Sequence, residues 1–131
     1  MANPVVVDSD LLIDFLRGKG AGVDVVTSLI AQRQLRVTVI TAFELRVGTD
    51  FLSRQADILQ LLRGRTIPLD MAAAIRAGAL AAELGRRGLP IGFADALQAG
   101  VCLRHGLRLA TRNRKHFDRI DGLEIFESDR P

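Results

Sequence analysis

The chain has 131 residues, of which 48% are hydrophobic, so one domain spanning residues 1–131 with an ordinary apolar core is expected. Aromatic residues make up 5% and Cys102 is the only cysteine, which excludes base-stacking aromatic platforms, internal disulfides and thiolate zinc sites. The net charge of +3 permits a polyanionic partner, and acidic residues interrupt the N-terminal apolar segments, so a soluble cytoplasmic protein without a membrane span is expected.

Predicted strands and helices alternate along the chain. Short β-branched apolar runs predict strands, and apolar residues at helical spacing predict helices. In the first half of the chain these patterns predict a strand over 4–7, a helix from Asp8 to Gly18 and a helix over 23–32. They then predict a strand over 35–40, a helical stretch from Thr41 to 62 with a break near Gly48, and a short strand over 66–69. The second half predicts a helix from Asp70 to near Gly88, a helix over 93–105, a strand over 107–110, a helical turn over 113–117 and a strand over 124–126. This alternation predicts an α/β/α sandwich with a short central parallel sheet.

Acidic residues are predicted to gather at one edge of that sheet. Asp8 follows the first strand, Glu44 is placed in the first turn of the helix after the second strand, and Asp95 is placed in the first turn of the helix over 93–105. Asn113 follows the strand over 107–110. Because ligands bind outside the carboxyl ends of parallel strands, these side chains are expected to face one site. Carboxylates in a partly dry cleft stay ionised only around a cation, and oxygen ligands favour Mg²⁺ or Mn²⁺.

Each acid also has a purely structural interpretation. Asp8 or Asp10 can cap the helix that follows. Thr41 and Glu44 have the spacing of a capping box, in which two side chains satisfy backbone donors at a helix start. Asp95 lies where a helix N-terminus favours negative charge.

The densest basic segment, from Thr111 to His116, directly follows a predicted strand. It therefore lies at the edge where the acids are expected. A basic run beside a metal site suits a polyanion whose phosphates must reach the metal, although such runs are also ordinary solvated surface. The candidate phosphate-binding residues are Arg112, Arg114, Lys115 and Arg46.

Four segments resemble, in order and spacing, the acidic motifs of the PIN-domain nucleases, and among these the VapC-like toxins. They are VVVDSDLLIDFLRG, TAFELRVG, IGFADALQAG and LATRNRKHF. The resemblance implies a divalent-metal endoribonuclease in which Asp8, Glu44 and Asp95 form the metal-binding triad and Thr111 supports it. It also implies an RNA substrate, often transfer RNA, a homodimer, and a VapB-like antitoxin that occupies the cleft and silences the toxin.

The chain departs from this family pattern at two positions. Asn113 stands at the fourth site position, where many relatives carry Asp, which removes one negative charge and puts a second tightly held metal in doubt. Asp10 stands where a neutral Ser, Thr or Asn is common, so it either restores part of that charge or only caps the helix.

Two other functions are compatible with parts of the pattern. A catalytically inactive PIN-like module would bind partners without cleaving RNA, and Asn113 is the feature that suggests it. A haloacid-dehalogenase-type phosphatase also begins with a strand and an Asp-x-Asp sequence. Leu11 and Leu12, however, stand where that chemistry needs a small hydroxyl residue.

Overall fold

A four-stranded parallel sheet forms the centre of the computed structural model, which describes residues 3–127. The strands are β1 (Val5–Val7), β2 (Leu35–Thr38), β3 (Thr66–Ile67) and β4 (Arg108–Ala110). Their order is β3-β2-β1-β4, with every neighbouring pair parallel. All residues of β1 are fully buried, as expected of a central strand that is covered on both faces. The predicted fold class is therefore confirmed.

Helices connect the strands and cover both faces of the sheet. They are α1 (Ser9–Arg17), α2 (Gly22–Ala31), α3 (Val39–Val47), α4 (Gln55–Leu62), α5 (Met71–Arg86), α6 (Phe93–His105) and α7 (Arg114–Phe117). Helices α5 and α6 pack closely because Gly100 has no side chain: a Cβ there would lie 2.5 Å from the carbonyl oxygen of Ala73. None of the helices within residues 3–127 has the length and apolar character needed to cross a membrane.

The alternating side chains of β1 divide the core into two halves. Val5 and Val7 pack with buried residues of α1, α2 and α4 on one face of the sheet. Val6 packs on the other face, with buried residues of α5 and α6 and with Phe117 of α7. A third buried cluster joins α3, α5 and α6 through Ile40, Ala73 and Val101. Apolar packing thereby fixes the positions of the helices that begin at the carboxyl edge of the sheet.

The predicted boundary between β2 and α3 is wrong. The strand ends at Thr38 rather than at residue 40, because the Thr38 hydroxyl caps α3 by accepting a hydrogen bond of 3.2 Å from the backbone N–H of Thr41. Thr41 therefore does not begin the helix, and the capping box that it was predicted to form with Glu44 does not exist. Glu44 is the sixth residue of α3 and lies in its second turn, not its first.

The predicted last strand over 124–126 is also wrong. Ile125 forms one isolated parallel bridge with Leu109. Two backbone hydrogen bonds support this bridge, from Leu109 N–H to the Glu124 carbonyl (3.0 Å) and from Phe126 N–H to the Leu109 carbonyl (2.8 Å). Because β4 is only three residues long, it offers little length for a further strand to pair with.

Candidate active site

Asp8 lies at the carboxyl end of β1, where it is 8% exposed, and it is also the N-cap of α1. Its Oδ1 atom accepts a hydrogen bond of 2.9 Å from the backbone N–H of Ser9. Its Oδ2 atom accepts one of 2.8 Å from the hydroxyl of Thr111, which follows β4. That hydroxyl oxygen accepts a further hydrogen bond of 3.0 Å from the backbone N–H of Asn113. The Asp8 carboxylate is therefore held in one orientation by the ends of two neighbouring strands.

The pKa of Asp8 is raised above its ordinary value, first of all because burial disfavours the charged form. The hydrogen bonds from Thr111 and Ser9 partly offset this effect, and the negative charges of Asp95 and Asp10 add to it. A cation placed beside this carboxylate would relieve both the burial cost and the repulsion.

Glu44, which belongs to α3, is affected in the same way as Asp8. Its pKa is raised mainly by burial and then by the charge of Asp8, with a smaller contribution from Asp95, while the Ser9 side chain lowers it. Asp8, Glu44 and Asp95 thus come from three separate segments of the chain and are close enough to influence one another. These predicted site residues are therefore within range of one another's charge.

Asp95 lies in the first turn of α6, and its side chain is 29% exposed. Its Oδ2 atom is 3.3 Å from Nδ1 of His116 in α7. Helix α7 is anchored by the fully buried Phe117 and by Arg119, which donates a hydrogen bond of 2.8 Å to the carbonyl of Pro90 just before α6. This contact of His116 with Asp95 was not predicted from the sequence, where the available signal was the position of His116 in the segment that follows β4.

The acidic residues do not form a complete metal-binding geometry as they stand. Across residues 3–127, no three His, Cys, Asp or Glu side chains are grouped as ligands around one point. The donor chemistry nevertheless fits Mg²⁺ or Mn²⁺, because the acids of the site are carboxylates and because their negative charges repel one another.

Asp10 and Asn113 lie at the exposed margin of this group. Asp10 is exposed in the first turn of α1, and its charge raises the pKa of Asp8. Asn113 is the exposed N-cap residue of α7 and makes no side-chain capping hydrogen bond. Its backbone N–H, rather than its side chain, contacts the Thr111 hydroxyl.

The predicted phosphate-binding arginines have partners within the chain. Nη1 of Arg112 lies 2.8 Å from Oδ2 of Asp14, and Arg114 lies 2.7 Å from Glu127. The guanidinium of Arg46 lies over the ring of Phe51, 4.8 Å from its centroid. Lys115 is exposed and takes part in none of the ion pairs found within residues 3–127.

One buried polar group near the acids was not predicted from the sequence. Gln98 of α6 is 2% exposed and forms hydrogen bonds with the side chains of Thr38 and Thr41. In the sequence Gln98 stands within a run of small apolar residues, which gives no indication of a polar partner on another helix.

A comparison with protein-family models matches residues 5–123 to the PIN domain. The chain belongs to the PIN-domain family. The matched range contains every acidic residue of the site, together with Thr111 and Asn113. This assignment removes the basis for the phosphatase alternative.

Curated relatives of this PIN domain are VapC proteins. It is 29% identical to the tRNA(fMet)-specific endonuclease VapC of Shigella flexneri, over 90% of this chain and 92% of the relative. It is 32% identical to ribonuclease VapC10 of Mycobacterium tuberculosis, over 92% of this chain and 90% of the relative. The resemblance to VapC-like toxins is confirmed.

Solved structures with the same fold include one described as a toxin–antitoxin complex, from Klebsiella pneumoniae. The DNA-bound VapBC structure from Salmonella typhimurium matches with a TM-score of 0.80 and 26% identity, covering 95% of this PIN domain and 98% of that chain. The FitAcB structure from Neisseria gonorrhoeae matches with a TM-score of 0.79 and 26% identity, covering 94% of this PIN domain and 96% of that chain.

Proposed function

We propose that this PIN domain is a metal-dependent endoribonuclease and the toxin of a toxin–antitoxin pair. The observation that carries the proposal is the group formed by Asp8, Glu44 and Asp95, three acids from distant segments: Asp8 is buried, Glu44 is half-buried, and repulsion from the other acids raises the pKa of both. A cation would relieve this repulsion. The relatives that are named endonuclease or ribonuclease support the choice of reaction.

In this proposal Asp8, Glu44 and Asp95 hold Mg²⁺ or Mn²⁺. A bound divalent ion supplies positive charge that offsets the charge of the scissile phosphate and lowers the pKa of an attacking water. Thr111 keeps the Asp8 carboxylate in its orientation by donating to Oδ2. The amide of Asn113 lies at the exposed margin of the site, where it can donate to a phosphate oxygen, and Asp10 adds negative charge beside Asp8.

The RNA backbone is proposed to approach from the α7 side of the site. Lys115 is the most available cation in the segment after β4, because Arg112, Arg114 and Arg46 have intramolecular partners with which a phosphate must compete. These residues would contribute affinity rather than sequence preference. Structured RNA such as transfer RNA is the proposed substrate, since one relative is named a tRNA(fMet)-specific endonuclease.

A VapB-like antitoxin and a second copy of this chain are the proposed protein partners. The structural neighbours described as VapBC and as a toxin–antitoxin complex support an antitoxin. An activity of this kind would operate in the cytoplasm, where its RNA substrate is found.

The proposal is tested by RNA cleavage with purified protein. We expect cleavage in Mg²⁺ or Mn²⁺ that stops with EDTA, and we expect Asp8→Asn and Asp95→Asn each to reduce the rate by a factor of 100 or more. Asn also caps helices well, so Asp8→Asn should preserve α1. The matched control is Asp24→Asn, which changes an exposed acid in the first turn of α2 and should cleave like the wild type.

Cleavage by both site variants at the wild-type rate would reject the assignment of these acids. Cleavage that continues in EDTA would reject the proposed dependence on Mg²⁺ or Mn²⁺.

A catalytically inactive binding module is the second candidate. The incomplete ligand geometry and the neutral Asn113 favour it. Antitoxin binding by a protein that cleaves no RNA in Mg²⁺ or Mn²⁺ would select this alternative, and introducing the missing charge with Asn113→Asp would then be expected to restore cleavage.

A further inference from the structure

A closed group of buried side-chain hydrogen bonds joins α3 to α6. Thr38 and Thr41 are fully buried, and Gln98 is 2% exposed. The Thr38 hydroxyl donates to Oε1 of Gln98, and Nε2 of Gln98 donates to the Thr41 hydroxyl at 3.2 Å. The backbone N–H of Thr41 donates back to the Thr38 hydroxyl at 3.2 Å. Each of these polar side chains thus has a partner away from water.

The group lies one helical turn from two of the acids. Glu44 follows Thr41 by three residues on α3, and Asp95 precedes Gln98 by three residues on α6. Residues three apart lie on the same side of a helix, so the acids and the hydrogen-bonded side chains share the facing sides of the two helices. Any sliding or rotation of α3 against α6 that separates Glu44 from Asp95 would also break these hydrogen bonds.

Within residues 3–127, Gln98 makes the side-chain hydrogen bonds that join α6 to α3 and its N-cap, and no ion pair joins the two helices. Their shared apolar cluster contains Ile40 and Val101, and apolar burial is non-directional, so it holds the helices together without fixing their register. Hydrogen bonds weaken steeply with distance and angle, and therefore fix register.

We propose that Gln98 is a positioning residue that sets the separation of Glu44 and Asp95 through Thr38 and Thr41, so that both can reach one metal ion. The inference rests on the proposed metal-dependent function and adds to it a residue that touches neither metal nor substrate. Because Asp8, Glu44 and Asp95 are not grouped around one point as they stand, the relative placement of α3 and α6 determines how far their carboxylates must move to share an ion.

The test is Mn²⁺ binding measured by titration calorimetry, without RNA, on the intact protein. Gln98→Met keeps the volume and removes both hydrogen bonds, and we expect the Kd for Mn²⁺ to rise about tenfold, the lower end of the effect of losing an outer contact to a metal site. Gln98→Met combined with Thr41→Val removes one of the two hydroxyls that lose their Gln98 partner, so thermal stability should recover in part while weak Mn²⁺ binding remains. Thr41→Ser retains the hydroxyl and should bind Mn²⁺ within twofold of wild type.

Ile58→Val is the matched control, because Ile58 is a buried residue of α4 in the first core cluster, which contains no residue of α6. Its truncation lowers stability without removing a hydrogen bond among Thr38, Thr41 and Gln98. It should bind Mn²⁺ like wild type.

Equal Mn²⁺ affinity of wild type and Gln98→Met would overturn the role of Gln98 and leave the proposed function intact, whereas a wild-type protein that binds no Mn²⁺ would refute both. If Gln98→Met does not fold, Thr41→Val decides the question: tenfold weaker binding than Thr41→Ser supports the inference, and equal binding rejects it.

Discussion

Asp8 combines a structural and a chemical role in one side chain. One carboxylate oxygen caps α1 and the other receives the Thr111 hydroxyl, so neither oxygen is left without a donor despite its burial. Each oxygen still has acceptor capacity, because an ionised carboxylate offers about four lone-pair sites. A helix cap and a metal ligand are therefore compatible interpretations of Asp8, which the sequence analysis treated as rivals.

The raised pKa of Asp8 predicts that the metal-free protein loses stability as the pH rises. A carboxyl group with a higher pKa in the folded state binds protons that the unfolded chain has already released, so stability is greatest below that pKa and falls as pH increases through it. Asp14, Asp50 and Asp70 have lowered pKa values and stay ionised above pH 5, so they do not contribute to this change.

In EDTA we therefore expect the Tm of the wild type to fall, relative to that of Asp8→Asn, as the pH is raised through the folded-state pKa of Asp8. Above that pKa Asp8→Asn should have the higher Tm, by roughly 4 °C for each kcal/mol that burial and repulsion of the charged carboxylate cost. Added Mn²⁺ should raise the Tm of the wild type but not of the variant. Thermal scans with Asp24→Asn as control measure this, and parallel pH profiles of wild type and Asp8→Asn would contradict it.

Among the structural elements, the segment from Thr111 through α7 supplies side chains that contact two acids of the site, Asp8 and Asp95. Thr111 supports Asp8, His116 contacts Asp95, and Arg112 bonds to Asp14, whose other partner is the backbone N–H of Gly22 at the start of α2. Arg112 therefore joins the segment after β4 to α1 and α2. This use of Arg112 competes with the phosphate contact predicted from the sequence.

Lys115 and Arg112 are expected to differ in their effect on RNA binding. With the cleavage-deficient Asp8→Asn protein, Lys115→Gln should reduce the slope of log affinity against log salt concentration by about 0.7 to 0.9, the value for loss of one phosphate contact. Arg112→Gln should change that slope less and lower the Tm more, because its guanidinium bonds to Asp14. Filter binding over a salt series measures the slopes. A larger slope change for Arg112→Gln than for Lys115→Gln would show that RNA displaces the Asp14 contact.

The elements were largely predictable because their signals are local. The bounds of α6 and the cap of α5 by Asp70 follow from helical spacing, a terminal Gly and a capping residue. The start of α3 was not predictable, since Thr38 and Thr41 are both good caps and only the buried partner Gln98 distinguishes them. The contact of His116 with Asp95 and the ion pairs of Arg112 and Arg114 were missed for the same reason: they join residues far apart in sequence.

At the scale of the whole molecule, exposed apolar residues are concentrated on α3 and α5. Val39, Phe43 and Val47 recur every four residues along α3, and Met71 and Ile75 do so on α5. One residue of each helix, Ile40 and Ala73, also lies in a shared buried cluster with Val101 of α6. The exposed apolar residues of these two helices are called the α3/α5 face. Exposed apolar side chains of this size are typical of an interaction surface.

We expect the α3/α5 face to form the interface of the proposed homodimer. Phe43 is 70% exposed and Ile75 is 67% exposed, and burying one such side chain is worth about 1.5 to 3 kcal/mol. Phe43→Ser combined with Ile75→Ser should therefore weaken dimerisation by about 100-fold or more, since every 1.4 kcal/mol is tenfold. Sedimentation over a concentration series measures this, with Leu59→Ser on α4 as a control that should remain dimeric. If the double variant stays dimeric but no longer binds the antitoxin, the face belongs to the antitoxin instead. A wild type that is monomeric at every concentration would rule out the homodimer itself.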